Sequence, residues 1–427
     1  MNKVHNIYTP VLRSPKTRPA GIAAAPRQRA HILDFFVCFF SFSMLLLSNM
    51  WGLPAILGFL APWLLIVLRN FQEAQRAISK NWPLFLLPAL TILSTAWSDA
   101  PQTSLKGGFE FAATVAIGIL AGWCIKPRVF LTSLLSTFIL IAICCLAVGR
   151  QEIISTTGEY AYTGIFGSKN AFSGAMSLLM LVAVAVYLDK GQSRFFRLAA
   201  LTGILLTPVL IYFGHSLGAI LAACFAVAIF LAVCFLTRFQ PKARLAIGIF
   251  IFLIALSATV IGSIANFDSD SILHFMGKSS SLTGRTYLWE NGLNIASERP
   301  LLGYGIFWRV DNPTARKLWY ESHVPPGPGF GFHSEYIEML VSLGLVGLII
   351  MLSQLFVLGR RVVKRVLNTM TQEQNFAFII FTYFMIRSPV EAEIFSQFNI
   401  CMILFCVAWV YFQPAKTIPV PHGALRK

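Results

Sequence analysis

Apolar runs of roughly 17 to 22 residues recur along most of this chain, about the length at which an α-helix crosses a bilayer. The expected fold class is an all-α polytopic membrane protein, one membrane domain with a single extramembrane elaboration. Of its 427 residues, 56% are hydrophobic and only 12% charged, while soluble domains carry about twice that charge. The runs place about 12 transmembrane helices, near 31–50, 52–69, 83–97, 107–125, 130–149, 170–188, 198–214, 217–237, 245–264, 334–358, 375–389 and 396–412. The third and eleventh are short, and a re-entrant segment at either would change the count.

A net charge of +16 invites a nucleic-acid reading, but its distribution argues against one. With the N-terminus in the cytoplasm, 24 of the 34 Lys and Arg fall on the inner side, and 6 of the 10 outer ones lie in one long loop. This is the positive-inside bias, so the charge sets topology and the long loop faces outward. Arg360, Arg361, Lys364 and Arg365 then read as headgroup-facing anchors. Residues 1–30 are basic, lack acidic residues, and read as a disordered cytoplasmic tail. The membrane domain covers 31–264 and 333–412, the outer loop 265–332, and a second cytoplasmic tail 413–427. The first apolar run is longer than a signal-peptide core and is expected to be retained. All eight cysteines fall inside expected spans, where free thiols ordinarily pack. No repeat appears, nor the paired Gly- or Pro-broken spans of an inverted-repeat transporter.

The loop at 265–332 is polar and rich in Gly, Pro, Arg and aromatic residues. A helix is expected from near Arg285 to Ser297, capped by Thr283 and ended by Pro300, with Leu288, Gly292, Ile295 and Ala296 on its apolar face. Arg285 and Trp289 are four apart and share a face. LLGYGIFW at 301–308 is a Gly-punctuated turn, and PPGPGFG at 325–331 is loop. His333 opens the next helix, with Glu335 and Glu338 in its first turns, as the helix dipole favours.

His333 is the sharpest candidate for chemistry. A helix N-terminus disfavours the imidazolium, leaving a neutral ring able to accept a proton. The same position also suits an interfacial cap. The Arg285 guanidinium fits phosphate oxygens and the Trp289 indole fits a sugar face, while a snorkelling arginine would look the same in sequence. Lys169, Arg309 and Arg387 are further outer cations at span ends. Together they would line a pocket for an anionic group; singly they read as anchors, and Arg387 has Glu391 and Glu393 close by as ion-pair partners. Tyr304, Phe307, Trp308, Trp319 and Tyr320 suit a sugar platform or an interfacial belt. No DxD, HExxH or other acidic cluster points to a metal; Asp268 and Asp270 are the nearest pair.

GRTYLW, ERPLLGYG, a Gly-rich gap and HSEYIEMLVSLGLVGL, together with upstream WSDAPQTSL and GIFGSKNAFSGAM, resemble the O-antigen ligase and O-antigen polymerase superfamily of the Wzy/WaaL type. SKNAFS and the overall layout are most similar to ExoQ-type exopolysaccharide polymerases. The resemblance implies a GT-C-like, metal-independent, inverting membrane glycosyltransferase that needs no cofactor and uses undecaprenyl-diphosphate-linked glycans at the periplasmic face of the inner membrane. It implies that Arg285 holds the diphosphate, that His333 acts near the acceptor hydroxyl, and that Lys169 matches a basic position before the sixth span. Ser334 stands where many members have Asn. Expected partners are the lipid-linked oligosaccharide, membrane lipids, a chain-length-regulating copolymerase and a flippase, with no nucleic acid. A ligase that transfers finished glycan to lipid A core or protein is the alternative within the fold. A transporter or flippase of lipid-linked sugars is the alternative from another class. It finds little support in the intramembrane ionisable residues, of which only Asp34, Glu110 and His215 are candidates.

Overall fold

The computed structural model describes residues 25–153, 160–237, 239, 285–306, 313–321, 331–366 and 370–413. The expected ninth span at 245–264, Thr283, Asp268, Asp270, Phe307, Trp308, Arg309 and the PPGPGFG stretch up to Phe330 lie outside the described residues. Each of the other eleven expected spans coincides with helix: α1 (Ala25–Leu46), α2 (Leu53–Leu60) with α3 (Pro62–Arg69), α5 (Leu86–Leu93), α6 (Pro101–Cys124), α7 (Pro127–Val148), α8 (Lys169–Leu188), α9 (Arg194–Phe213), α10 (Leu217–Leu236), α13 (Glu335–Val366), α14 (Gln372–Arg387) and α15 (Ile400–Tyr411). The helix α4 (Phe71–Lys80) follows α3. Two loop helices, α11 (Arg285–Glu298) and α12 (Pro313–Glu321), complete the set introduced here.

Among the described residues, six helices are long and apolar enough to cross a bilayer: α6, α7, α8, α9, α10 and α13. The segment α2–α3 meets α4 at a bend of 109°, which makes a broken span or a re-entrant loop. The apolar stretches of α1, 82–96 and α15 are shorter than a full crossing. Among the described residues the architecture is thus all-α and multi-pass, with six helices of crossing length and composition, or up to seven if the bent pair is one span. One short antiparallel hairpin, β1 (Gln151–Ile153) on β2 (Tyr160–Tyr162), departs from the purely helical expectation. At the N-terminal tail, helix begins already at Ala25.

Small residues let α6 and α15 approach closely. A Cβ on Gly118 or Gly122 of α6 would meet the Ile403 or Val407 backbone of α15 at 3.1 and 3.2 Å. This is the small-xxx-small pattern that lets membrane helices approach closely. All eight cysteines are free.

The feature that positions the loop is a break in α13. Gly344 has φ +64° and ψ −164°, a conformation essentially reserved for glycine. The break frees backbone groups that would be costly to leave unpaired, and residues 300–305 take them up. Tyr304 and Gly305 donate to the Val341 and Ser342 carbonyls at 3.0 and 2.8 Å, while Leu345 and Val346 donate to Pro300 and Leu301 at 2.8 and 3.2 Å. Gly303 and Gly305, at φ +66° and +79°, let the strap turn onto the helix. WSDAP closes over it: the Trp97 indole donates to the Leu302 carbonyl at 3.1 Å, and Arg299 donates to Asp99 at 2.8 Å. Leu288, Gly292, Ile295 and Ala296 form the buried face of α11, as the sequence pattern expects, and they pack with Leu318, Phe332 and Val341.

A Cβ at position 344 would lie 2.3 Å from the Leu301 backbone. Gly344→Ala is therefore expected to destabilise the protein by at least about 1–3 kcal/mol from backbone strain alone. Gly359→Ala on the same helix, where the nearest atom is 3.5 Å away, should be nearly neutral. Thermal unfolding of both variants in detergent checks this.

Candidate active site

The loop joining α14 to α15 carries Glu391 and Glu393 and meets the start of α13 beneath α11. Its backbone is held by one side chain. The Glu335 carboxyl accepts from the N–H groups of Glu393, Ile394 and Phe395 at 2.9, 2.9 and 3.0 Å. The Glu335 N–H in turn donates to the Ser388 carbonyl at 2.9 Å.

This arrangement brings Glu391 between the two leading candidates. One carboxyl oxygen accepts from the Arg285 guanidinium, and the other lies 2.9 Å from His333 Nδ1. Burial favours the neutral Glu391 carboxyl. The His333 hydrogen bond and the nearby charges, including the Arg387 and Arg285 guanidiniums, outweigh burial and hold it below the usual carboxylate range. A carboxylate at Nδ1 makes that nitrogen the donor, and in the neutral ring Nε2 is then the acceptor. Helix α13 starts two residues after His333, which has φ +50°. The carboxylate therefore orients the ring, while the expectation from sequence rested on the helix dipole.

Arg285 and Trp289 do act from one face of α11. The Trp289 indole N–H donates to the Phe332 carbonyl at 2.9 Å, fixing the residue before His333. This bond uses the indole N–H, whereas the expectation from sequence concerned the ring face. The Phe332 N–H donates to Glu338 at 3.1 Å. Arg387 is buried and paired with Glu393, with Tyr383 beneath its guanidinium. Of its two expected roles, the structure displays the ion pair. Lys169 opens α8, its backbone N–H on Glu152 at 3.0 Å, between Ser168 and Asn170 of the cavity wall. Arg309 lies outside the described residues.

The constellation borders a cavity of about 520 Å³, inside the range of roughly 300–1,000 Å³ usual for small-molecule sites. His333, Glu335, Glu338, Glu391 and Glu393 line it, with Ser and Asn side chains among the rest. No group of three or more His, Cys, Asp and Glu suited to a metal ion occurs among the described residues. Glu391 was visible in the sequence only as a neighbour of Arg387. Its signal was a pair of acids in a short turn at a membrane boundary, where unpaired charge is expensive.

The helical membrane fold and the charged cavity at its loop end define a class, and comparisons with known proteins narrow it. A family described as O-antigen ligase matches residues 202–352, a stretch that contains Arg285, Trp289 and His333. The exopolysaccharide production protein ExoQ of Rhizobium meliloti (strain 1021) is 27% identical over 382 residues, covering 87% of this chain and 85% of that protein. The chain is thus similar to O-antigen ligases over residues 202–352 and to an exopolysaccharide production protein over most of its length.

Glu391→Ala would leave Arg285, only 18% exposed at its side chain, without this carboxylate. The expected loss is about 3 kcal/mol, read from thermal unfolding in detergent. Because the folded-state value of Glu391 is depressed, its contribution is full above the ordinary carboxylate range and is lost as pH falls through the lowered value. Stability from this group should therefore hold from neutrality down to about pH 5 and decline only in stronger acid. In Glu391→Gln that component of the acid limb should be absent.

Proposed function

We propose that this protein is a polysaccharide polymerase that joins undecaprenyl-diphosphate-linked repeat units at the periplasmic face of the bacterial inner membrane. The observation that carries the reading is Glu391 held between Arg285 and His333 at the wall of a largely apolar cavity that carries a few convergent charged groups. In this reading His333 Nε2 takes the proton of the acceptor hydroxyl, while Glu391 retains the Nδ1–H. The acceptor oxygen bonds to the anomeric carbon of the donor. The bond from that carbon to the diphosphate oxygen breaks, with inversion, and the diphosphate leaves with the electron pair. Arg285 shifts from Glu391 to the departing diphosphate, helped by Lys169 and Arg309. Such preorganised charge at the site where charge develops is usually the largest catalytic term. Guanidinium and ammonium groups fill the role that a metal would otherwise take. Trp289 and Arg387 act as positioning residues.

A copolymerase that regulates chain length and a flippase that delivers the repeat unit are the partners proposed to work beside it. The O-antigen ligase match favours a second reading, transfer of finished glycan to lipid A core or protein. The two differ only in acceptor.

The test uses purified protein in nanodiscs with lipid-diphosphate-linked repeat units and EDTA, with products sized by mass spectrometry. A ladder of repeat lengths is expected, and His333→Ala should lose at least about 100-fold in rate, the scale of a general base. A single transfer to an added lipid A core acceptor, without a ladder, would favour the ligase. Full polymer synthesis by both His333→Ala and Arg285→Ala at normal protein levels would overturn the mechanism.

A further inference from the structure

The cavity beside His333 has a chemical bias that bears on which sugar enters it. Four glutamates, Glu335, Glu338, Glu391 and Glu393, contribute to its lining, and among the described residues no Lys or Arg does. Two of these carboxylates are engaged by arginines from behind, Glu391 by Arg285 and Glu393 by Arg387. Both arginines therefore reach the cavity only through the carboxylates they hold. Glu335 is directed to three backbone N–H groups, and Glu338 to the N–H of Phe332.

Carboxylate oxygens are hydrogen-bond acceptors and carry negative charge. Sugar hydroxyls donate to such oxygens. A uronate or an acid-substituted sugar would set its own carboxylate against them, with no guanidinium among the described lining residues to receive it. Like charges brought together away from water cost several kcal/mol in recognition. Unpaired polar groups are the strongest basis for discrimination between close analogues.

We infer that the cavity is the acceptor subsite and that it selects an uncharged sugar: the residue whose hydroxyl meets His333 carries no carboxylate, and Glu338 contributes to that selection. This rests on the proposed transferase reading and names the substrate class of its acceptor.

Two measurements test it. In the first, two acceptors that differ only in the terminal sugar, a hexose and the matching hexuronic acid, compete for one lipid-linked donor in nanodiscs. The expected result is at least tenfold higher kcat/KM for the hexose, with the ratio reduced in Glu338→Gln. Equal use of both, or preference for the uronic acid, overturns the inference while leaving the transferase reading intact. In the second, wild-type protein is titrated calorimetrically with the two corresponding water-soluble oligosaccharides, free of lipid and diphosphate. Tighter binding of the neutral one supports the inference even if no transfer occurs, a combination that would count against the transferase reading alone. Binding of neither, or equal binding, overturns it.

Discussion

The contact on which the site depends is the Glu335 carboxyl receiving three consecutive backbone N–H groups, those of Glu393, Ile394 and Phe395. A buried carboxyl without partners would be costly, and a turn at a helix boundary leaves N–H groups in need of acceptors. Each satisfies the other here. The result is a loop between α14 and α15 fixed against the first turn of α13, so residues 58 positions apart in sequence meet at His333 and Glu391. Without that clasp, Glu391 would lose its fixed place beside Arg285 and His333.

Glu391 then does two things with one group. Its hydrogen bond to Nδ1 orients the imidazole, and its other oxygen holds Arg285. An anion arriving at Arg285 competes with Glu391 for the guanidinium. Under the proposed chemistry, donor arrival is thereby sensed at the base through a single carboxylate. Trp289 ties the same helix to Phe332, so α11 is anchored at two points four residues apart, one helical turn: by Arg285 to Glu391 and by Trp289 to the residue before His333.

Much of this was legible in the sequence because membrane physics writes in long words. Helices lie where runs of apolar residues lie, and the buried face of α11 was readable from Leu288, Gly292, Ile295 and Ala296. The break at Gly344 was not readable, since glycine is common in membrane helices and carries no mark of its backbone angle. Glu391 was half-readable: its closeness to Arg387 suggested a pair, whereas folding gives Glu393 to Arg387 and Glu391 to Arg285 and His333. Such partner choice among neighbouring acids depends on the three-dimensional path of the loop, which local sequence does not encode. Crossing number is similarly ambiguous, because short helices and bent pairs have the composition of spans without their length.

The lacing between residues 300–305 and α13 also governs how such a chain can drift. Its four bonds join peptide groups, which every residue but proline carries in full. Side chains at 301, 302 and 304 are therefore replaceable without unfastening the strap, while Gly303, Gly305 and Gly344 are held by backbone angle and close approach. Two proteins could share this junction and little else along it. Relatedness here would show as the spacing of glycines, and the machinery beneath the cavity could persist while the sugars it handles diverge.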